Sequence, residues 1–301
     1  MSANFGDRLT EANRQTGSVL CMGIDPHHQM IPALFGNAAA EAGSPQAINA
    51  IRNFINACLN SAIGKVTAIK QQAAFFEQQG PDGMRLLQTL GRAAIDAGML
   101  VIMDAKRGDI GSTSTAYANA WIGHDATFPS DALTVNPWLG IDTLDPFLAR
   151  ADATFSGLFV LSRTSNQGAG DLQDQIVDGA PLYTHLASML APLAAARVGN
   201  SGVSSLGIVA GATWPDDAKT LRAALPHAPF LVPGFGAQGA GAEMATTGLL
   251  RGASGWEGGI VNSTRGLIFP KTATNANSLA DWHVAIDTTI AENNAILNAT
   301  F

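Results

Sequence analysis

The sequence predicts an α/β fold, a single (β/α)8 TIM barrel with a short N-terminal helix, as one domain over residues 1–301. Three observations carry this reading. Eight short apolar runs recur along the chain, and each closes on polar or glycine-rich residues. Their apolar character is continuous rather than alternating, as in strands buried on both faces of a parallel sheet. Segments of helical periodicity lie between them, and 301 residues is close to the size of one such barrel. A doubly wound open sheet is the alternative reading of the same alternation.

The first run, SVLCMGID (18–25), ends on Asp25. PQAINAIRNFINACLNSAI (45–63) follows with apolar residues at helical spacing, and VTAIKQQ (66–72) is the second strand. The helix PDGMRLLQTLGRAAIDAG (81–98) opens on Pro81 and stops at Gly98, the usual asymmetry of helix ends. MLVIMDAK (99–106), DALTVNPW (131–138) and GLFVLSRTS (157–165) are strands three to five. A helix over 182–196 leads to LGIVAGAT (206–213), and one over 216–228 leads to PFLVPGFG (229–236). GGIVNSTRG (258–266) is the eighth strand, and a helix over 279–299 closes the chain. Residues 36–46 and 248–259 read as loop excursions.

Composition narrows the function. Hydrophobic residues make up 47% and charged residues 14%, which permits a large core and argues against disorder. Net charge is −7, so neither a nucleic acid nor an anionic membrane is an expected partner. An anionic substrate must then meet local positive charge. Cys21 and Cys58, the two cysteines, lie in apolar stretches and suit a core rather than a disulfide framework. No leader pattern and no run of 18 apolar residues is visible, so a soluble cytoplasmic protein is expected.

In a parallel barrel the loops after the strands build the site, and the polar residues gather there. Asp25 ends strand one, Lys70 lies late in strand two, and Asp104 and Lys106 end strand three. Asp104 and Lys106 are two apart, so both face one side of a strand. Lys70, one strand over, completes a Lys–Asp–Lys row in which each charge keeps its neighbour ionised. Lys106 then suits a proton donor and Asp104 a fixed negative charge. Taken alone, a D-x-K pattern reads first as an ion-pair cluster closing the barrel top. VPGFGAQGAG (232–241), with Pro233, Gln238 and Gly239, offers backbone donors to a phosphate, and Arg265 after strand eight offers a guanidinium. Ser165 or Asn166 in LSRTSNQGAG suits the edge of a base, although such residues also form turns. His27, His28 and His124 show no metal-ligand spacing and read as solvated or capping residues, with His124 pairing locally with Asp125.

MDAKRGDIGST (103–113) closely resembles the D-x-K-x-x-D signature of the orotidine 5'-phosphate decarboxylases, in its longer form that of the bacterial group-2 branch. GIDP (23–26), IKQQAAFFE (69–77), LSRTSNQGA (161–169), VPGFGAQGA (232–240) and NSTRG (262–266) are similar to the family's other motifs and fall in order along nearly the whole chain. The resemblance implies a homodimeric barrel that converts orotidylate to UMP and CO2 with no cofactor and no metal. It implies that Asp25 and Lys70 hold ribose hydroxyls, with Lys70 also pairing with Asp104. Asp104 faces the substrate carboxylate, and Lys106 protonates C6. Asp109 reaches the partner's site with Ile110 and Thr113 beside it. Ser165 contacts the pyrimidine, and Gln238 and Arg265 bind the phosphate, with Pro233 and Gly239 in the same loop. Gln167 stands where the family pattern has proline, and the long segment 241–258 makes spacing a poor guide to Arg265. Two other functions remain open: a metal-dependent sugar-phosphate decarboxylase of the same superfamily, and a non-catalytic phosphate-binding barrel.

Overall fold

The eight apolar runs become the eight strands of one closed barrel in the computed structural model, which describes residues 3–236 and 239–301. They are β1 (Leu20–Ile24), β2 (Ala68–Gln72), β3 (Leu100–Arg107), β4 (Ala132–Val135), β5 (Gly157–Arg163), β6 (Leu206–Ala210), β7 (Phe230–Val232) and β8 (Gly259–Ser263). Each pairs in parallel with the next, and β8 closes the ring on β1. Closure rules out the open-sheet alternative.

Among the described residues eight longer helices accompany the strands: α1 (Phe5–Thr16), α2 (Pro45–Ala62), α3 (Gly80–Asp96), α4 (Gly111–Trp121), α5 (Asp145–Thr154), α6 (Leu182–Ala195), α7 (Pro215–Ala224) and α8 (Leu279–Asn298). The outer strand faces and the helices share one large core, while the inner strand faces form a second. Helix α1 plugs the N-terminal end of the ring. The Asn4 side chain caps it by accepting from the Asp7 N–H at 2.9 Å, and Gly17 ends it at φ 58°. Phe5 and Leu9 are thereby held in the inner core with no exposed surface. Phe5 meets Phe159 edge to face at 5.8 Å. Residue 157 has to be glycine, because a Cβ there would lie 2.3 Å from the Phe5 ring. With this end filled, the C-terminal end is the mouth.

Several expectations change. Helices α4 and α5 were not foreseen. The helix expected over 216–228 stops at Ala224, and the excursion 248–259 contains a two-stranded hairpin, Leu250–Arg251 with Trp256–Glu257. His124 does not pair with Asp125. Its Nε2 lies 2.8 Å from Asp131 Oδ1, and Asp125 takes Arg150 at 2.5 Å. Asp131, 1% exposed, also accepts from Arg8 of α1 and from the Val101 N–H. Sequence proximity was the wrong guide because the buried carboxylate needs three donors and the exposed one does not.

Candidate active site

Lys70 and Gln72 sit two apart on β2 and present their side chains to the mouth, beside Asp104 on β3. Lys106 reaches the same place by a different route from simple alternation. Its φ is 49°, the left-handed region that L-residues seldom enter. The β3–β4 register shifts between Met103 and Arg107, and the Lys106 N–H donates to Thr134 Oγ1 at 3.0 Å. Strain of this kind costs about 1–3 kcal/mol and persists where surrounding contacts enforce it.

Asp104 collects four donors. Lys70 Nζ at 2.7 Å and Gln72 Nε2 at 3.0 Å donate to Oδ2, while Lys106 Nζ at 2.5 Å and Thr134 Oγ1 at 3.0 Å donate to Oδ1. Lys70 lies between Asp104 and Asp25, whose Oδ1 is 3.8 Å from its Nζ. Burial alone would push the Asp104 carboxyl up, but the charges of Lys70 and Lys106 outweigh it and hold the group well below the usual carboxylate range. Burial alone would likewise lower Lys70, but Asp104 and Asp25 outweigh it and hold the ammonium above its ordinary range. The Lys70 side chain is 5% exposed and that of Lys106 46%, so one lysine is a fixed strut and the other is open to solvent.

Two cavities meet at this row. One of ≈ 220 Å³ is lined by Lys106, Thr134, Leu161, Ser165 and Asn166 among others. The second, of ≈ 330 Å³, is lined by Asp25, His27, Gln72, Phe75, Asn262 and Arg265 among others. Lys70, Asp104 and Pro233 line both. The segment carrying Ser165 is tied down: the Thr164 N–H donates to Gln173 Oε1 at 2.9 Å and Trp214 Nε1 donates to the Thr164 carbonyl at 3.0 Å.

The structure thus brings Asp25, Lys70, Asp104, Lys106, Ser165, Pro233 and Arg265 around one mouth. Asp109, Ile110 and Thr113 line neither cavity. They lie between β3 and α4 and in its first turn, where Asp109 Oδ1 accepts the Ile110 N–H at 2.8 Å and Ile110 is 63% exposed. Gly239 also lines neither, and its N–H donates to the Gly236 carbonyl at 2.8 Å. Gln238 lies outside the described residues. Sequence reasoning missed Gln72, Thr134, Asn262 and His27. Gln72 could have been found, two residues after Lys70; Thr134 required the register of β4. His27 lines the cavity with its ring 4.5 Å from that of Phe75, rather than lying in solvent. Among the described residues no group of three or more His, Cys, Asp or Glu is placed to hold a metal ion.

A sequence model of the orotidine 5'-phosphate decarboxylase / HUMPS family matches residues 18–271. Orotidine 5'-phosphate decarboxylase of Rhodopirellula baltica is 40% identical over 289 residues, covering 94% of this chain and 95% of its own. The crystal structure of a Streptomyces avermitilis chain assigned to the same activity superposes with a TM-score of 0.78 at 33% identity, covering 98% of this chain and 96% of its own. The structure of Leishmania donovani OMP decarboxylase gives 0.74 at 30% identity over 99% and 98%.

Proposed function

The chain belongs to the orotidine 5'-phosphate decarboxylase / HUMPS family, and from that premise we propose that it converts orotidine 5'-phosphate to UMP and CO2, a step of pyrimidine nucleotide synthesis, at this mouth. The observation that carries the reading is the Lys70–Asp104–Lys106 row at the junction of a base-sized and a sugar-phosphate-sized cavity. Ser165 and Asn166 face the pyrimidine, Asp25 and Lys70 the ribose, and Arg265 the phosphate.

In the reaction the C6–carboxylate bond breaks, CO2 leaves, and the electron pair stays in an sp² orbital at C6. The ring offers that pair no delocalisation, so charge has to be met where it develops. The Lys106 ammonium meets it and then transfers a proton to C6, and its exposed side chain is reprotonated from water. Asp104, held ionised, fixes Lys106 and lies where the substrate carboxylate arrives, which disfavours the ground state. Charge alone falls short. Accelerations of about 8–23 kcal/mol are typical of enzymes, whereas a unit-charge contact at 4 Å is worth about 4 kcal/mol at an effective dielectric of ~20. Binding energy at the distant phosphate supplies much of the remainder by fixing the ring.

The placement of Asp109, Ile110 and Thr113 away from their own cavities supports a homodimer in which Asp109 reaches the partner's site. The rim beside them is apolar: Trp138 is 67% and Leu139 53% exposed, and the two rim segments are joined by the Asn136 N–H on the Arg107 carbonyl at 2.8 Å. The packing of α1 and α8 on the barrel supports one domain over 1–301. No helix among the described residues is long and apolar enough to cross a membrane, and two free buried cysteines suit a cytoplasmic setting.

The test is the loss of orotidylate absorbance with and without EDTA, for wild type and Lys106→Ala. Wild-type activity should survive EDTA and the variant should lose at least about 10²–10⁴-fold. A wild type that leaves orotidylate unchanged would favour the metal-dependent sugar-phosphate chemistry instead, and activity abolished by EDTA would overturn the metal-free step.

A further inference from the structure

Gly23 marks a contact that neither the signature motif nor the row explains. It pairs with Lys70 in the β1–β2 register, and a Cβ on it would lie 1.9 Å from Thr264 Oγ1 and 3.1 Å from Asn262 Oδ1. Asn262 near the end of β8 and Thr264 just beyond it therefore lean over β1 at the height of Lys70, one strand away. Strands in a sheet are about 4.8 Å apart. Both residues line the cavity that holds Asp25 and Arg265.

Asn262 is 8% exposed, and its amide is barely bonded. Nδ2 reaches Thr264 Oγ1 at 3.4 Å, and Oδ1 has no partner among the described residues. Asp25 Oδ1 is also buried and accepts no hydrogen bond from the described residues. Native structures rarely leave such atoms unmade, so two in one cavity mark where ligand donors belong.

The pair selects the ligand's chemistry. A phosphate dianion has no proton to donate. The pyrimidine N3–H is one donor, and it belongs to the ring in the neighbouring cavity. A ribose cis-diol brings two O–H donors side by side. We propose that Asn262 hydrogen-bonds one ribose hydroxyl next to Asp25 and thereby discriminates ribonucleotides from their deoxy analogues, an inference that rests on the decarboxylase reading above. Turned end for end, the amide presents a donor instead, and a hydroxyl serves either end. Gly23 is then the residue that leaves room for this side chain.

The experiment compares kcat/KM for orotidine 5'-phosphate, its 2'-deoxy analogue and its 3'-deoxy analogue in wild type and Asn262→Ala. The variant should lose about tenfold or more on the ribonucleotide and nothing further on the analogue that lacks the contacted hydroxyl. Its preference for the ribonucleotide over that analogue should collapse. An unchanged preference against both analogues overturns the proposal, because a merely structural asparagine would depress all three substrates alike. Asn262→Thr, whose branched side chain suits a strand, carries the same comparison where alanine prevents folding. Failure of the underlying reading looks different: wild type would leave orotidylate unchanged. The preference is then read from binding of UMP, 2'-deoxy-UMP and 3'-deoxy-UMP to wild type and variant, with the same two outcomes.

Discussion

Asp104 is the residue on which the mouth depends, because it joins two lysines of different character. Its carboxylate is held below the unfolded value of about 3.9, so its contribution to stability is full above that pH and is lost as pH falls through the lower folded value. Lys70 is held above the unfolded value of about 10.4, so its contribution is full below that pH and is lost as pH rises through the higher folded value. Across the neutral range both contributions are intact. Removing one partner of a buried pair leaves the other charge uncompensated, which costs about 3–5 kcal/mol. Lys70→Met should therefore destabilise the protein by about that amount in urea unfolding at neutral pH. A loss below about 1 kcal/mol would mean that Lys106, Gln72 and Thr134 satisfy Asp104 without Lys70.

At the scale of elements, the proposed phosphate anchor falls to the loops after β7 and β8 and the proposed chemistry to the end of β3. Arg265 opens the short helix Arg265–Ile268 directly after β8, with its side chain in the larger cavity. Its separation from Lys106, which lines only the smaller cavity, makes it a test of remote binding energy. Arg265→Ala should lower kcat/KM by at least about 10²-fold, although the guanidinium never touches C6. Near-wild-type kinetics would refute that role. The strands were legible because burial on both faces leaves an unbroken apolar run, and α3 was legible because Pro81 and Gly98 bracket it. Helix α4 was not: its sequence GSTSTAYANAW is mostly small and hydroxylated, it buries Ser114, Ala118 and Trp121, and no side chain caps its start. Helix α5 ends on Phe155 at φ 55° where glycine is the usual stop, so its boundary carried no signal. Within the site, the charged residues were legible as types at strand ends. Thr134 and Asn262 were not, because Thr134 is placed by register and Asn262 stands out only by an amide oxygen with no partner among the described residues, and neither is written in local sequence. The left-handed turn at Lys106 was hidden because alternation alone already predicted the right neighbour, so nothing in the pattern called for it.

The whole molecule carries a net charge of −7, yet its proposed substrate is an anion. Capture therefore rests on a few cations at the mouth rather than on the field of the protein. Whether the proposed dimer is the active unit turns on what each chain contributes to a site. If Asp109 completes the neighbouring site, Asp109→Ala and Lys106→Ala chains, each inactive as a homodimer, should rescue one another when unfolded together and refolded. In the mixed dimer, one site takes Lys106 from the first chain and Asp109 from the second, and both are intact; the other site lacks both. Random pairing makes half the dimers mixed, with one good site of two, so activity should return to roughly a quarter of wild type. If instead Asp109 serves its own chain, every site in the mixture lacks one residue or the other and no activity returns. Sedimentation of the same mixture separates that outcome from a failure to dimerise, since a monomer would also show no rescue but would run at half the mass.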